Sequence, residues 1–336
     1  MDRAWVRRPV MGLGVLVLAV VLLATVVLWL PVLTLVDLAR GRRRLPLARF
    51  VSFGLAWAWL ETLGLFFAAV LFVVGKGRNL GANYRLQAWW TRNVVRALRL
   101  TVGVQIEVEG FAELGPGPFV ALCRHASLAD SVMSAWVLAD HAGLKPRYVL
   151  KKELRLDPCL DVVGHRLPNY FVDRGSANVS AELEGIDQMA RGLAADEVAV
   201  IFPEGSRANP RKRTKALEKM ANRSPLRAER LSALQHLLPP KPAGASTLLA
   251  AVPAANVITM WHSGFDGLDT FRGIVHHLAR RAIRVHVKIV EHHRSTVATG
   301  EAFVDWLDQQ WLAMDAAVAR QLTRIVPHAT TGGDHG

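Results

Sequence analysis

Two long apolar runs near the N-terminus constrain this chain more than any other feature of its sequence. Residues 9–36 contain no charged side chain, and residues 50–75 contain only Glu61. The first run has 28 residues, and a helix that rises about 1.5 Å per residue is then longer than a hydrocarbon core of about 30 Å. We therefore predict a transmembrane or re-entrant helical hairpin within residues 1–90, with its first helix bent or ended near Pro31.

Basic residues flank the hairpin on every side: Arg3, Arg7 and Arg8 before it, Arg40, Arg42, Arg43 and Arg44 in its connector, and Lys76, Arg78 and Arg85 after it. Because positive charge is not concentrated on one side, the positive-inside rule leaves open whether the hairpin spans twice or re-enters. In either case we expect the N-terminus and the rest of the chain on the same side. A carboxylate is costly in hydrocarbon, so Glu61 is expected to face the partner helix or the interface.

After the hairpin the chain alternates between strand-like and helix-like segments, which is typical of an α/β sheet covered by helices on both faces. Apolar residues recur at helical spacing in residues 128–141, 177–193 and 303–325. The predicted strands are residues 104–108, 119–123, 148–150, 170–172, 198–202, 257–261 and 283–290. We therefore predict one α/β domain over residues 91–326 with a central mixed sheet flanked by helices, and a disordered tail over residues 327–336.

A histidine and an aspartate five positions apart stand where one predicted strand gives way to a helix. The segment is Arg124-His125-Ala126-Ser127-Leu128-Ala129-Asp130. An imidazole accepts a proton from a hydroxyl near neutral pH, and a carboxylate fixes its tautomer and stabilises the imidazolium. His125 and Asp130 are therefore the candidate catalytic residues, with His125 as the general base.

Two further segments carry an arginine just after a predicted strand, where α/β sheets place ligand sites. They are Phe171-Val172-Asp173-Arg174 and Phe202-Pro203-Glu204-Gly205-Ser206-Arg207. Arg174 and Arg207 are candidates to bind a phosphate, because a guanidinium binds phosphate oxygens bidentately. Gly205 permits close backbone approach, and Glu204 is suited to orient the guanidinium of Arg207 or a substrate hydroxyl.

Taken together, these segments resemble the motifs of the PlsC-type lysophospholipid acyltransferases. Members of that family carry Asn-His-x4-Asp, Gly-x-x-Phe-x-x-Arg, Phe-Pro-Glu-Gly-Thr-Arg and a proline-bearing apolar strand in this order, and the resemblance covers residues 100–256. Residues 237–244 are similar to a stretch of the membrane-anchored branch of the family. The chain departs from the pattern at Arg124, Pro168 and Ser206, which replace Asn, Gly and Thr, and residues 252–256 match the fourth motif loosely.

The resemblance implies an integral-membrane enzyme that transfers a fatty acyl chain from acyl-CoA or acyl-carrier protein to 1-acylglycerol-3-phosphate, giving phosphatidic acid. The implied enzyme needs no cofactor and no metal. The resemblance also implies a location in a bacterial inner membrane, with the catalytic domain facing the cytoplasm. The implied catalytic residues are His125 and Asp130, and the implied substrate-binding residues are Arg174, Glu204, Gly205, Ser206 and Arg207. Lysophosphatidylglycerol, lysocardiolipin and glycerol-3-phosphate are alternative acceptors, and a non-catalytic lipid-binding protein is an alternative function.

Composition argues against several other classes of protein. The net charge is +13, and residues 207–230 hold nine Lys and Arg. No nucleic-acid motif accompanies this run, so we expect its partner to be anionic lipid headgroups or a phosphate-bearing donor, not nucleic acid. The two cysteines imply no disulfide framework. The pairs His276-His277 and His292-His293 do not predict a metal site, because adjacent side chains do not converge on one ion.

Overall fold

The computed structural model describes residues 4–268 and 270–325, and its first three helices form a helical hairpin, as predicted. Helix α1 is Ala4–Ala24, α2 is Val26–Ala39 and α3 is Pro46–Val73. Helices α1 and α3 are long and apolar enough to cross a membrane. The predicted tail, residues 327–336, lies outside the described residues.

The first arm of the hairpin is interrupted at Thr25, whereas the sequence predicted a bend or an end near Pro31. Helix α2 continues through Pro31, and Thr25 has φ −99° and ψ 8°. Its hydroxyl donates to the carbonyl of Val21 at 2.6 Å, and such a bond to the preceding turn often bends a helix. A proline inside a helix clashes with the carbonyl of the residue four positions earlier. A bend caused by Pro31 would therefore also lie on the N-terminal side of Pro31.

Helix α3 contacts the α/β domain at both of its ends. Near its start, Arg49 Nε donates to the carbonyl of Thr101 at 2.8 Å. Near its end, the carbonyl of Ala68 accepts from Arg166 Nη1, also at 2.8 Å. Because the two ends of one helix contact the same domain, the hairpin lies alongside the domain and does not project away from it.

Buried polar contacts also fix the hairpin to the domain. Glu61 is fully buried, and its Oε2 accepts the backbone N–H of Cys159 at 3.0 Å. The expectation that Glu61 faces the partner helix or the interface is therefore wrong, because its carboxylate finds its hydrogen-bond donor in the domain. The guanidinium of Arg7 lies 2.9 Å from the carboxylate of Asp161, and both side chains are buried. The N-terminal end of α1 thus lies against the domain too.

A seven-stranded mixed sheet forms the centre of the domain, as predicted. Its strands are β1 Gln105–Glu109, β2 Phe119–Cys123, β3 Lys145–Lys151, β4 Tyr170–Val172, β5 Glu197–Ile201, β6 Asn256–Ser263 and β7 Arg284–His292. They lie in the order β1-β7-β6-β2-β5-β3-β4. The five strands from β6 to β4 are mutually parallel, whereas β7 is antiparallel to β6 and β1 is parallel to β7. The carboxyl ends of β2 to β6 therefore meet at one edge of the sheet.

Helices cover both faces of the sheet. They are α4 Leu80–Ala97, α5 Asp130–Trp136, α6 Pro158–Gly164, α7 Val179–Ala190, α8 Pro210–Ala221, α9 Pro225–Leu231, α10 Pro242–Ala251, α11 Phe271–Arg280 and α12 Ala302–Ile325. Wider helical turns continue α4 over Leu98–Val102 and α5 over Val137–His141. Single tight turns form at Phe111–Glu113, Lys152–Leu156 and Arg294–Thr296.

The sheet separates two hydrophobic cores, one on each of its faces, and strand β2 contributes side chains to both. Its Phe119, Ala121 and Cys123 pack with α4, α5 and α11, whereas Val120 and Leu122 pack with α7, α10 and α12. This is the alternation expected of a strand, whose successive side chains point to opposite faces. All five residues are buried, so the end of β2 gives the residues that follow it a rigid support.

Candidate active site

The segments that follow β2 and β5 are held together by backbone hydrogen bonds at the carboxyl edge of the sheet. The N–H of Arg124 donates to the carbonyl of Met260 in β6 at 2.9 Å, and the N–H of Ala208 donates to the carbonyl of His125 at 2.8 Å. The His125 segment is thus fixed to its neighbours on both sides. Ligand sites in α/β sheets form at such an edge.

His125 and Asp130 form a hydrogen-bonded pair. His125 Nδ1 donates to Asp130 Oδ2 at 2.9 Å, and the same oxygen accepts the backbone N–H groups of Ala126 at 2.6 Å and Ser127 at 2.9 Å. The Asp130 side chain is 1% exposed and the His125 side chain is 15% exposed. The carboxylate is therefore enclosed by the turn before α5, while the imidazole reaches the surface with Nε2 as its second nitrogen.

The Asp130 carboxylate is ionised in this environment. Burial alone would raise its pKa, but His262, whose Nε2 lies 3.0 Å away, and the hydrogen bond from His125 hold its pKa well below the usual range. A carboxylate that stays charged stabilises an imidazolium on His125. The geometry of the pair is therefore that of a general base oriented by a carboxylate.

His262, near the end of β6, is a site residue that the sequence analysis missed. Its Nε2 lies 3.0 Å from Asp130 Oδ1, and its side chain is 6% exposed. Asp130 thus lies between two histidines. The contact depends on the pairing of β6 with β2, in which Met260 lies opposite Cys123, and a single histidine in an apolar strand gave no signal of it.

Arg124, which stands where the resembled family has Asn, forms a partly buried ion pair. Its side chain is 1% exposed, and its guanidinium donates to the carboxylate of Asp266 and to the carbonyl of His262. Burial would raise the pKa of Asp266, but the Arg124 charge beside it lowers that pKa. Arg124 therefore fixes the backbone of β6 beside the Asp130 carboxylate.

Glu204 is buried between the two segments of the site. Its Oε1 accepts the N–H of His125 at 2.7 Å, and its Oε2 accepts the N–H of Leu238 at 2.9 Å. Burial raises the pKa of Glu204 to about 8. The hydrogen bonds from the two backbone N–H groups and the charge of Arg124 lower this pKa, but burial has the larger effect. These contacts show Glu204 fastening the His125 backbone, whereas the sequence suggested contact with Arg207 or a substrate hydroxyl.

Cationic side chains lie on the same edge of the sheet as the His125–Asp130 pair. Burial lowers the pKa of Lys151 at the end of β3, and the charges of Arg174 and Arg207 lower it further. Burial and then the charge of Arg174 likewise lower the pKa of Lys241. Lys151 thus lies near Arg174 and Arg207, and Lys241 lies near Arg174, and like charges brought together in this way favour an anion with several oxygens. We refer to Lys151, Arg174, Arg207 and Lys241 as the cation cluster.

Gly205 and Ser206 lie in the loop that leads to this cluster. Gly205 has φ 72°, and a Cβ atom there would lie 3.0 Å from Lys241 Nζ. Its lack of a side chain permits both the left-handed backbone and the approach of Lys241. Ser206 and Arg207 follow it, and both are half-buried.

An apolar cavity of about 170 Å³ lies next to the His125 segment. It is enclosed by α4, α5, β3 and α6, and its lining includes Leu128 and Val132 on either side of Asp130 in sequence. Most of its remaining lining is aliphatic or aromatic, including Trp90, Leu150 and Leu160. Such a cavity suits a hydrocarbon group better than a polar one.

The part of the chain that carries this site matches a known family of proteins. Residues 105–262 match the family model described as Acyltransferase, and this segment contains the His125–Asp130 pair, Arg174 and Arg207. This segment therefore resembles the acyltransferase family, and the match confirms the family resemblance predicted from the motifs. Comparison with curated proteins finds no match.

One similar solved structure is the 1-acyl-sn-glycerophosphate (LPA) acyltransferase PlsC from Thermotoga maritima. It shares 16% sequence identity with this chain at a TM-score of 0.46. The alignment covers 79% of this chain and 96% of that chain.

Proposed function

We propose that this protein transfers a fatty acyl chain from acyl-CoA or acyl-carrier protein to the hydroxyl of 1-acylglycerol-3-phosphate, giving phosphatidic acid. The observation that carries the proposal is the His125–Asp130 pair, joined at 2.9 Å, on the same sheet edge as the cation cluster. A general base for a hydroxyl beside a site for a phosphate is what this acceptor requires.

In the proposed reaction, His125 Nε2 takes the proton of the acceptor hydroxyl as its oxygen attacks the thioester carbonyl. The tetrahedral intermediate collapses, the C–S bond breaks, and the imidazolium returns the proton to the leaving thiolate. Asp130 holds the imidazole by Nδ1 and stabilises its charged form. No enzyme nucleophile takes part, and burial raises the pKa of Cys123, so this nearby thiol stays protonated.

The cation cluster and the apolar cavity give the substrates their places. The cluster binds the acceptor phosphate through charge-assisted hydrogen bonds, which orient the adjacent glycerol hydroxyl toward His125. The cavity beside Leu128 and Val132 takes a hydrocarbon chain. The proposed function thus assigns a binding region to the charged headgroup and another to an apolar tail.

An assay of purified membranes with both donors and a panel of lysolipids tests the proposal. We expect transfer to 1-acylglycerol-3-phosphate that depends on His125. Preferred transfer to lysophosphatidylglycerol, lysocardiolipin or glycerol-3-phosphate would replace the proposed acceptor and keep the mechanism. Binding of lysolipids with no turnover on any donor would contradict the enzyme proposal in favour of a lipid-binding protein.

We further propose that the hairpin holds the protein in the inner membrane with the α/β domain on the cytoplasmic side. Large apolar side chains of α1 and α2 are exposed, for example Leu13 at 63% and Leu28 at 66%. Exposed apolar surface of this extent binds hydrocarbon. Washing membranes with high salt or alkaline carbonate should leave the protein bound, while detergent should release it. Release by salt alone would show that only basic surface residues hold the protein.

His262 provides a test of how Asp130 is positioned. In His262→Ala, Asp130 loses its contact with Nε2 at 3.0 Å, and removing one partner of a buried polar group costs about 1–3 kcal/mol. We expect kcat to fall about tenfold and the acid limb of the pH–rate profile to shift. His292→Ala, which changes a histidine that contacts Thr259, is the control. A His262→Ala enzyme with unchanged rate and pH profile would make His262 a packing residue only.

A further inference from the structure

A basic pocket lies between the connector of the hairpin and helix α11, away from the candidate active site. We refer to it as the connector pocket, and its volume is about 650 Å³. Its lining residues are Arg40, Gly41, Arg42, Leu47, Phe271, Arg272, Val275, His276, Ala279 and Arg280. It shares no residue with the cation cluster or with the His125–Asp130 pair. Its volume falls within the range of about 300–1,000 Å³ typical of small-molecule sites.

The charge of the connector pocket is all of one sign. Four arginines and one histidine line it, and the lining contains no carboxylate. Among residues 4–268 and 270–325, no carboxylate lies within ion-pair distance of Arg40, Arg42, Arg272 or Arg280. Guanidinium groups gathered without acidic partners repel one another and favour an anionic ligand.

The backbone of the connector is fixed, so the pocket is built into the fold. Asp37, fully buried, accepts the N–H groups of Leu47 at 2.8 Å and Ala48 at 3.2 Å, which joins the end of α2 to the start of α3. Gly41 has φ 68° and ends α2 in the left-handed conformation usual for a helix C-terminus. The arginines on either side of it are therefore held at one place relative to α11.

An aromatic contact fixes the other wall. The rings of Phe50 in α3 and Phe271 in α11 pack edge to face with centroids 5.1 Å apart. Phe271 is nevertheless 57% exposed, and Leu35 and Leu38 of α2 are 65% and 49% exposed. The rim of the pocket is thus apolar and leads onto the exposed surface of the hairpin.

From this arrangement we infer that the connector pocket binds the phosphate headgroup of an anionic phospholipid, with the lipid chains lying over the hairpin. Residues that immediately follow an apolar membrane helix lie at the level of the headgroups, whether the helix spans the bilayer or re-enters it. Basic pockets beside such helices attract phosphate headgroups. A free phosphate ester would use the arginines but leave the apolar rim without a partner, so the membrane is the source that fits both features.

Native mass spectrometry of the full-length protein tests the inference. The protein, freed of lipid in a neutral detergent, is given equal amounts of phosphatidylglycerol and phosphatidylcholine with matched chains. We expect the wild type to retain phosphatidylglycerol preferentially. In the triple variant Arg42→Gln, Arg272→Gln, Arg280→Gln, the affinity for phosphatidylglycerol should fall about a hundredfold, given the typical attraction per basic residue. Equal retention of both lipids by the wild type would overturn the inference.

Matched variants separate this pocket from other basic surfaces. The triple variant Arg43→Gln, Arg44→Gln, Arg78→Gln removes the same charge from residues that do not line the pocket, and it should retain phosphatidylglycerol. Arg207→Ala should retain it as well, because Arg207 belongs to the candidate active site. If either control lost the lipid as strongly as the pocket variant, overall charge or the active site would explain the binding, and the inference would be wrong.

A folding check and a competition with soluble phosphates complete the test. Circular dichroism checks that the pocket variant is folded, and if it is not, Arg272→Gln alone, at an exposed position, should weaken binding about fivefold. Unchanged binding by that variant would count against the pocket. Millimolar glycerol-3-phosphate or inorganic phosphate should leave the bound lipid in place. Displacement of the lipid by either would assign the pocket to a free phosphate ester and overturn the lipid as its ligand.

Discussion

Replacing His125 by alanine is expected to reduce acyl transfer by about 10²–10⁴-fold while the protein remains folded, since a lost general base typically has an effect of this size. The ring donates a hydrogen bond to Asp130 at 2.9 Å, and its centroid lies 5.0 Å from that of the Phe202 ring. Asp130 Oδ2 keeps its two backbone N–H donors, so the free energy of unfolding should fall by no more than the contribution of the lost bond, about 1.5–3 kcal/mol. The measurement is kcat with 1-acylglycerol-3-phosphate at saturating donor, with thermal unfolding recorded in parallel.

Two further variants make the His125 result specific. Asp130→Asn should also lose most activity, because an amide facing Nδ1 favours the wrong tautomer and no longer stabilises the imidazolium. His293→Ala changes an exposed histidine that contacts Ser295, and it should leave the rate unchanged. If His125→Ala turned over at a near-normal rate, the proposed mechanism would be wrong.

The His125–Asp130 pair could be predicted because it is local in sequence. His125 lies in the turn after β2 and Asp130 is the first residue of α5, so a spacing of five was enough to suggest their contact. The sequence was less accurate on where the helix begins, since it predicted residue 128 and α5 starts at Asp130. The Asp130 carboxylate accepts the N–H groups of Ala126 and Ser127, and this holds the preceding residues in a turn.

Contacts between distant segments could not be predicted from the sequence. His262 reaches Asp130 only because β6 pairs with β2, and Arg124 meets Asp266 through the loop that follows β6. The contacts of Glu204 were missed for another reason. Its donors are the backbone N–H groups of His125 and Leu238. Almost every residue has such a group, so the identities of these two residues do not indicate the contact.

The central sheet could be predicted because its strands are apolar and bounded by turns, and every predicted strand corresponds to an observed one. Helix α8 was not predicted, and its composition shows why. It has no fully buried residue, and of its apolar side chains Leu217 and Met220 pack only partly against the core, so its apolar stripe is short. The short helices α6, α9 and α11 have seven to ten residues, too few for a clear period.

The second large effect concerns Arg207. Arg207→Ala should weaken use of the acceptor about tenfold or more, because a hydrogen bond to a charged group contributes about 1.5–3 kcal/mol. Arg207→Lys should recover only part of the loss, since an ammonium keeps the charge but lacks the planar pair of donors. Arg174→Ala should behave similarly but more mildly. Arg191→Ala, which removes an exposed arginine paired with Asp187, is the matched control and should have no effect.

Steady-state kinetics distinguish two ways in which Arg207 could act on the acceptor. If Arg207 only binds the phosphate, the variant should raise KM for 1-acylglycerol-3-phosphate and leave kcat unchanged. If the phosphate contact also aligns the hydroxyl with His125, kcat should fall too, because the lost interaction is then stronger in the transition state. We expect both, since the loop of Arg207 is bonded to the His125 backbone through Ala208 at 2.8 Å. Unchanged KM and kcat would remove Arg207 from the site, and the basic residues from Arg211 onward would become the candidates for binding the phosphate.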